Sequence, residues 1–514
     1  MNRRRFVQTS ALTAATFRLG RMTVAAQPAA LLHPLADEND NVLVIVQLFG
    51  GNDGLNTVIP ADDDRYARYR TRLRIPKEKA VRLGGSRQYL HPSLKQGIGD
   101  GLSGLFNEGK LAVVQGVGYD NPDLSHFRST DIWLSGILPQ NAQQRLDSGW
   151  IGRYFDRRLS GPLPADPLCM RIGASPSLLF QGTSGDVSIA VENPNDFYEQ
   201  GKNVLSGDEP LTETSHFADE YNFIHGLSIQ SNRYSAVVKT AFDRGKNAAD
   251  YVDNGLSNGF KLVARLISGG LKTKVYLLSL DGFDTHANQG GEGGVHAGLL
   301  AQMSTGISAF MADLSRQQLA DRVVGMTVSE FGRRPEENAS NGTDHGAASV
   351  MFVFGNTVRG SLFGPGLSFD RLNANQDFQH QFNYRQVYDE VLGGWFGADD
   401  AFLKQVLGRR FEQVERGVLR RPDDVLSVHD PALPLSVYPN PTTDGLIFLR
   451  LNLSGETHLT VDQVDVRGQR VRLYGGRLSG GEQTLPLRLT GPAGIYLLQA
   501  EAGNARSMVR VVRL

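Results

Sequence analysis

The stretch NVLVIVQLFGGNDGLN carries a near-continuous apolar run, Val42 to Phe49, that ends directly in a glycine-rich polar turn. A strand with one wet face alternates apolar and polar residues. A run without alternation is buried on both faces, the habit of parallel sheets covered by helices. The pattern returns in KLAVVQGVGYD, KVYLLSLDG, RVVGMTVSEFG and ASVMFVFG. Between these runs the period changes: Leu300, Met303, Ile307, Phe310 and Leu314 recur at helical spacing, and GFKLVARLISGGL reads as a shorter helix stopped by Gly269 and Gly270. Strands alternating with helices predict a doubly wound α/β domain with a largely parallel sheet over residues 40–410.

Residues 411–434 turn charged and Pro-rich (RRPDDVLSVHDPALP) and read as a linker. From 435 to 514 the period becomes two, as in TLPLRLT with Leu485, Leu487 and Leu489, and short strands lie between Gly-rich turns. That spacing predicts a small all-β sandwich. Residues 1–26 read as an export signal, with Arg3, Arg4 and Arg5 before an apolar run, then Val24 and Ala26 set for cleavage. Nothing else approaches the roughly 20 apolar residues of a membrane span. A formal net charge of −1 lacks the basic face that nucleic acid requires. The one cysteine, Cys169, rules out an intrachain disulfide and a thiolate zinc cage, so any metal here has oxygen and imidazole ligands.

Four polar groups stand just after predicted strands. GGNDGLN offers Asn52, Asp53 and Asn56, and GYDNPDLSHFRSTDIW offers Ser125, His126 and Arg128. LDGFDTHANQ offers Asp281, Asp284 and His286, and SEFGRRPEENASNGTDHG offers Glu330, Arg333, Asp344 and His345. Each alone is also a good turn or helix start. In open α/β sheets, however, ligands bind beyond the carboxyl ends of the strands, so the four groups converge on one edge. Asp53, Asp281, Asp284, His286, Asp344 and His345 then form a candidate ligand set for one or two divalent cations: zinc, calcium, magnesium or manganese. Two cations would clamp the attacking and leaving oxygens of an ester displacement.

The segments VQLFGGNDGLNTVIP, SHFRSTDIWLSG, DGFDTHANQ, SEFGRR and TDHGAAS, in this order, resemble the family known as domain of unknown function 1501, which looks like a relative of the alkaline phosphatase and sulfatase superfamily. The resemblance implies an alkaline phosphatase-like fold, with Asp53 as first-strand ligand and Asp344–His345 as the superfamily's Asp-His pair. Asp281 to His286 would supply the remaining ligands, with Asp281 and Asp284 both open as candidates. Ser125 occupies the nucleophile's loop, and His126, Arg128 and Arg333 complete the candidate catalytic set, an arginine holding the non-bridging oxygens. Cys169 lies in LCMRIGA, outside any formylglycine sulfatase signature. About a dozen residues separate the strand in RVVGMTVSEFG from Asp344, so that loop has to fold back over the site.

The leader's Arg-Arg-x-Phe resembles a twin-arginine signal, and LSVYPNPTTDGLIFL with VDVRGQRV and GIYLLQ resembles the C-terminal sorting domain of type IX secretion. Together they imply the twin-arginine and type IX export machinery as partners. They also imply passage through the periplasm to the medium or outer surface of a Bacteroidetes-type cell. The expected function is an exported metal-dependent hydrolase of phosphate or sulfate esters, on substrates such as glycans or other extracellular polymers. The alternatives are a non-catalytic secreted or surface-attached binding protein that retains the fold, and a surface structural protein whose working part is the sandwich.

Overall fold

The computed structural model describes residues 39–141, 143–156, 164–183, 185–202, 232–420, 435–453, 455–465, 469–502 and 505–514. The expected leader, 1–26, and most of the expected linker lie outside the described residues. The chain divides into two compact units, one reaching Leu419 and one beginning at Arg420. Phe411, Val414, Val418 and Leu419 are buried in the first unit's core.

The first unit is built on a nine-stranded sheet. Its strands are β1 (Val42–Phe49), β2 (Leu111–Gly118), β3 (Cys169–Ile172), β4 (Ser188–Val191), β5 (Val275–Asp281) and β6 (Val323–Val328). A separate ribbon of β7 (Gly332–Glu337) and β8 (Thr343–Gly346) follows, and β9 (Ser349–Phe354), β10 (Ser361–Phe363) and β11 (Phe382–Asn383) return to the sheet. The order is β10-β2-β9-β6-β1-β5-β3-β4, with β11 beside β2. All neighbours are parallel except β9, which runs antiparallel to both β2 and β6.

Unbroken burial in β1 follows from helices on both faces. Val42, Val44, Val46 and Leu48 pack with Phe260 and Val263 of α2 (Gly255–Ser268) and Met303, Ile307 and Phe310 of α3 (Val295–Arg316). Leu43 and Ile45 point the other way, to Ile132 and Trp133 of α1 (His126–Ser135), Tyr384 and Val387 of α4 (Tyr384–Glu390), and Leu403 and Val406 of α5 (Asp400–Leu407). The fold is therefore doubly wound, with a largely parallel sheet, as the strand pattern predicts.

Two consequences position the site. Strands β1, β2, β5 and β6 run in one direction, so their carboxyl ends share an edge. Strand β9 starts at that edge, since Ser349 pairs with Val117. The chain between β6 and β9 never leaves this edge: it folds there as the β7–β8 ribbon, which sets Arg333 opposite His345. The ribbon is the fold-back that the sequence requires between SEFGRR and TDHG.

Among the described residues the second unit holds seven strands in two antiparallel sheets. Leu449, Leu451, Val461, Leu487, Leu498 and Val511 from the two sheets form one core, which makes the expected small sandwich.

Candidate metal centre

Imidazoles from three segments meet at the carboxyl edge: His126 from the first turn of α1, His286 from the loop after β5, and His345 from β8. His126 Nδ1 lies 2.8 Å from Glu330 Oε1, His286 Nδ1 lies 3.0 Å from Asp344 Oδ1, and His345 Nδ1 lies 2.8 Å from the Leu124 carbonyl. Carbonyls and carboxylates accept, so in each neutral ring Nδ1 carries the proton and Nε2 presents a lone pair. The Nε2 atoms of His286 and His345 stand 2.9 Å apart. They lie 3.4 and 3.5 Å from Asp284 Oδ1, and His126 Nε2 lies 3.5 Å from Asp284 Oδ2.

Four electron-pair donors thus face one another. The Nε2 atom of His126 is buried with no hydrogen-bond partner. A shared cation would resolve this arrangement. Ligand bonds of about 2.0–2.2 Å put tetrahedral ligand atoms roughly 3.3–3.6 Å apart, which the three imidazole–Asp284 separations match and the shorter 2.9 Å between His286 and His345 Nε2 does not. The donors of His126, Asp284 and His345 all lie within 4.8 Å of one another, close enough to hold a metal ion, and His286 stands beside that group through His345. The Nδ1 partners match what metal-bound imidazoles use to fix ring orientation.

Asp284 is oriented by Arg333, whose Nη2 donates to Oδ1 at 2.8 Å. Burial raises the Asp284 carboxyl, but Arg333 outweighs it and holds the group below its usual range. Burial, joined by the Arg333 charge, lowers the His345 imidazole, which keeps its lone pair available. Asp344 is held low chiefly by the Asn338 amide, with His286 adding to it. Phe331 backs the cluster, its ring centroid 4.4 Å from that of His345. The two glycines after β1 admit this packing. An ideal Cβ on Gly50 would lie 2.1 Å from Asp284 N, and one on Gly51, at φ +80°, would lie 2.4 Å from the Phe331 ring.

Several expected ligands stand elsewhere. Asp53 is fully buried and ion-paired to Arg70, with Nη1–Oδ2 at 2.6 Å and Nη2–Oδ1 at 3.0 Å. Both of its oxygens are committed to an internal cation, so it is not placed as a metal ligand. Asp281, at the tip of β5, is exposed and has Arg171 as its electrostatic neighbour. Asp344 orients His286 rather than joining the donor set. His126, expected among catalytic groups, is a donor. Arg333 is buried and donates to the carbonyls of Gly50, Gly51, Phe283 and Thr343 besides Asp284, so it orients the site and does not reach solvent. Arg128 points about 200° around α1 from His126 and lies 3.5 Å from the Asn141 carbonyl. Ser125 is exposed at the N-cap of α1, where its hydroxyl caps no backbone N–H.

The structure gives Glu330, which the sequence offers without a role, a place as the partner of His126, and it adds Gln289 and Arg70, which the sequence patterns do not offer. Glu330 had a signal, its place directly after β6. Gln289, in a turn-like HANQGG, and Arg70, in an arginine-rich surface-like stretch, had none.

Fold and site together define a doubly wound α/β protein with an imidazole–carboxylate centre at the carboxyl edge of its sheet. Residues 245–407 match the family described as "Protein of unknown function (DUF1501)", a span that takes in Asp284, His286, Glu330, Arg333, Asp344 and His345. Residues 436–513 match the secretion system C-terminal sorting domain. This places the protein among those sent for secretion or to the outer cell surface. No helix of the described residues is long and apolar enough to cross a membrane. No curated protein matches the chain.

Solved structures that it resembles include one described under metabolism of multiple glycosaminoglycans by Bacteroides thetaiotaomicron (10% identity, 85% of this chain and 90% of that one, TM-score 0.33). A sulfatase from Pseudoalteromonas sp. (12%, 90% and 84%, 0.33) and an alkaline phosphatase superfamily protein from Vibrio parahaemolyticus (10%, 88% and 82%, 0.30) are others. At TM-scores this low the chemistry has to be read from this chain's own side chains.

Proposed function

We propose that the protein is an exported metal-dependent hydrolase of phosphate or sulfate esters, acting on extracellular substrates such as glycans. The carrying observation is the convergence of His126, Asp284 and His345, with His286 Nε2 2.9 Å from His345 Nε2 beside them. Three imidazoles and one carboxylate suit a borderline cation, zinc or manganese, better than calcium or magnesium. The donors brought together are those of one cation. When bound, it supplies Lewis acidity toward a phosphoryl or sulfuryl oxygen.

The chain's own groups do the rest. Glu330, Asp344 and the Leu124 carbonyl hold the rings, Arg333 holds Asp284, and the half-exposed faces of Asp284 and His286 leave the centre open to an ester. The uncommitted Ser125 hydroxyl, one residue before His126, is the side chain offered as nucleophile. The leader carries the chain to the periplasm by the twin-arginine route, and the sorting domain takes it across the outer membrane.

A second reading, a secreted binding protein that keeps the fold and the cation, draws on Arg333. Its guanidinium is spent inside the protein and cannot meet an ester anion. Purified protein separates the two readings. The hydrolase binds close to one equivalent of zinc or manganese and turns over a phosphate mono-, di- or sulfate ester, and chelator or Asp284→Asn abolishes that turnover. Absence of a stoichiometric cation, or full activity in Asp284→Asn, overturns it. Bound metal with no turnover favours the binding protein.

A further inference from the structure

His286 and His345 lie on different segments, yet their Nε2 atoms meet at 2.9 Å. Backbone hydrogen bonds join these segments, Thr343 N to the Thr285 carbonyl at 3.1 Å among them, and the buried amide of Gln289 adds a side-chain link between them. Its Oε1 accepts from Thr285 Oγ1 at 2.9 Å and from Thr343 Oγ1 at 2.6 Å. Thr285 directly precedes His286, and Thr343 stands two residues before His345. The same amide donates from Nε2 to Asp53 Oδ2 at 2.5 Å. Asp53 is fixed in turn by Arg70, which also donates to the Arg334 and Pro335 carbonyls of β7. Gln289, Asp53 and Arg70 are all fully buried.

We propose that Gln289 is a positioning residue of the metal centre, a strut that sets the distance between His286 and His345, with Asp53 and Arg70 as its anchor. The inference rests on the metal centre proposed above. Only an amide does this task with one side chain: its oxygen takes both hydroxyl protons while its nitrogen donates to the carboxylate. A methionine leaves both threonines and Asp53 short of a partner, and a glutamate sets a second carboxylate against Asp53. Outer-shell groups that orient ligands are worth about 10–100-fold in metal affinity.

The test uses the full chain, with zinc affinity measured by chelator competition and the visible absorption of the cobalt-substituted protein as a report on ligand geometry. Gln289→Met is expected to lower zinc affinity about 10–100-fold and to shift the cobalt bands. A folded Gln289→Met variant with wild-type affinity and wild-type cobalt spectrum overturns the proposal. If Gln289→Met does not fold, Thr285→Val and Thr343→Val each remove one contact of the strut, and unchanged zinc affinity in both overturns it equally. Wild-type protein that binds no zinc or cobalt fails the metal reading and the strut with it. Wild-type binding with unaffected variants fails the strut alone.

Discussion

Asp53 and Asp284 both follow strands at the same edge of one sheet, and their surroundings differ in the balance of donors and acceptors. Around Asp53 the books close: a guanidinium faces both oxygens, an amide supplies a further proton, and nothing reaches solvent. Around Asp284 they do not. Arg333 satisfies Oδ1, but three imidazole lone pairs face the same carboxylate and one of them is buried without a partner. A carboxylate with its own buried cation is structural, and one ringed by surplus electron pairs is where the proposed metal would bind. The sequence context of the two is alike, a polar turn after an apolar run, and only the partner supplied from elsewhere in the chain tells them apart.

The largest effect that separates them is on stability. Arg70→Ala strands the buried Asp53 charge and is expected to cost about 3–5 kcal/mol in denaturant unfolding of the metal-free protein. Burial raises the Asp53 carboxyl and Arg70 outweighs it, leaving it at about 2 in the folded chain against an ordinary 3.8. A depressed folded pKa contributes stability that is complete above the unfolded value and is lost as pH falls through the folded one. Wild-type stability should therefore decline between about pH 4 and pH 2, and the Arg70→Ala variant should lack this component. A variant as stable as wild type at neutral pH breaks the contrast.

Second in size is His345→Ala, which removes a donor together with its hydrogen bond to the Leu124 carbonyl and its packing on Phe331. Zinc affinity should fall by about 100-fold, with any ester turnover, while unfolding of the metal-free protein moves by about 1–2 kcal/mol, less than for Arg70→Ala. A large stability loss with intact metal binding would exchange the roles of the two clusters.

How far these clusters were legible follows from how local their signals are. The sheet was legible because burial on both faces writes itself into each strand separately; Val42–Phe49, Leu111–Gly118 and Val275–Asp281 are strands where their runs stand. The short strands Cys169–Ile172 and Ser188–Val191, four residues each, carry too little pattern to announce themselves. At the site, the meeting of His286 and His345 at one edge is legible from their place after strands. The demotion of Asp53 is not, because it depends on Arg70 at a distance in space that no spacing encodes. The burial of Arg333 is illegible for the same reason: exposure is a tertiary property, and a guanidinium behind Gly50 and Gly51 reads in sequence like one in front of them.

The smallest expected effect is the sharpest internal control, since Asp281 and Asp284 stand three residues apart in one motif. Asp281 ends β5 with its side chain in solvent, and the loop beginning at Gly282 turns the chain so that Asp284, not Asp281, meets the imidazoles. Asp281→Asn removes an exposed charge whose near neighbour is Arg171, an interaction worth about 0–1 kcal/mol. Zinc affinity and turnover are expected to stay within about twofold of wild type, and stability within about 0.5 kcal/mol. A loss of metal in Asp281→Asn comparable to that in Asp284→Asn would mean that the loop closes differently around the cation, drawing the tip of β5 into the centre and returning the two aspartates to equal standing.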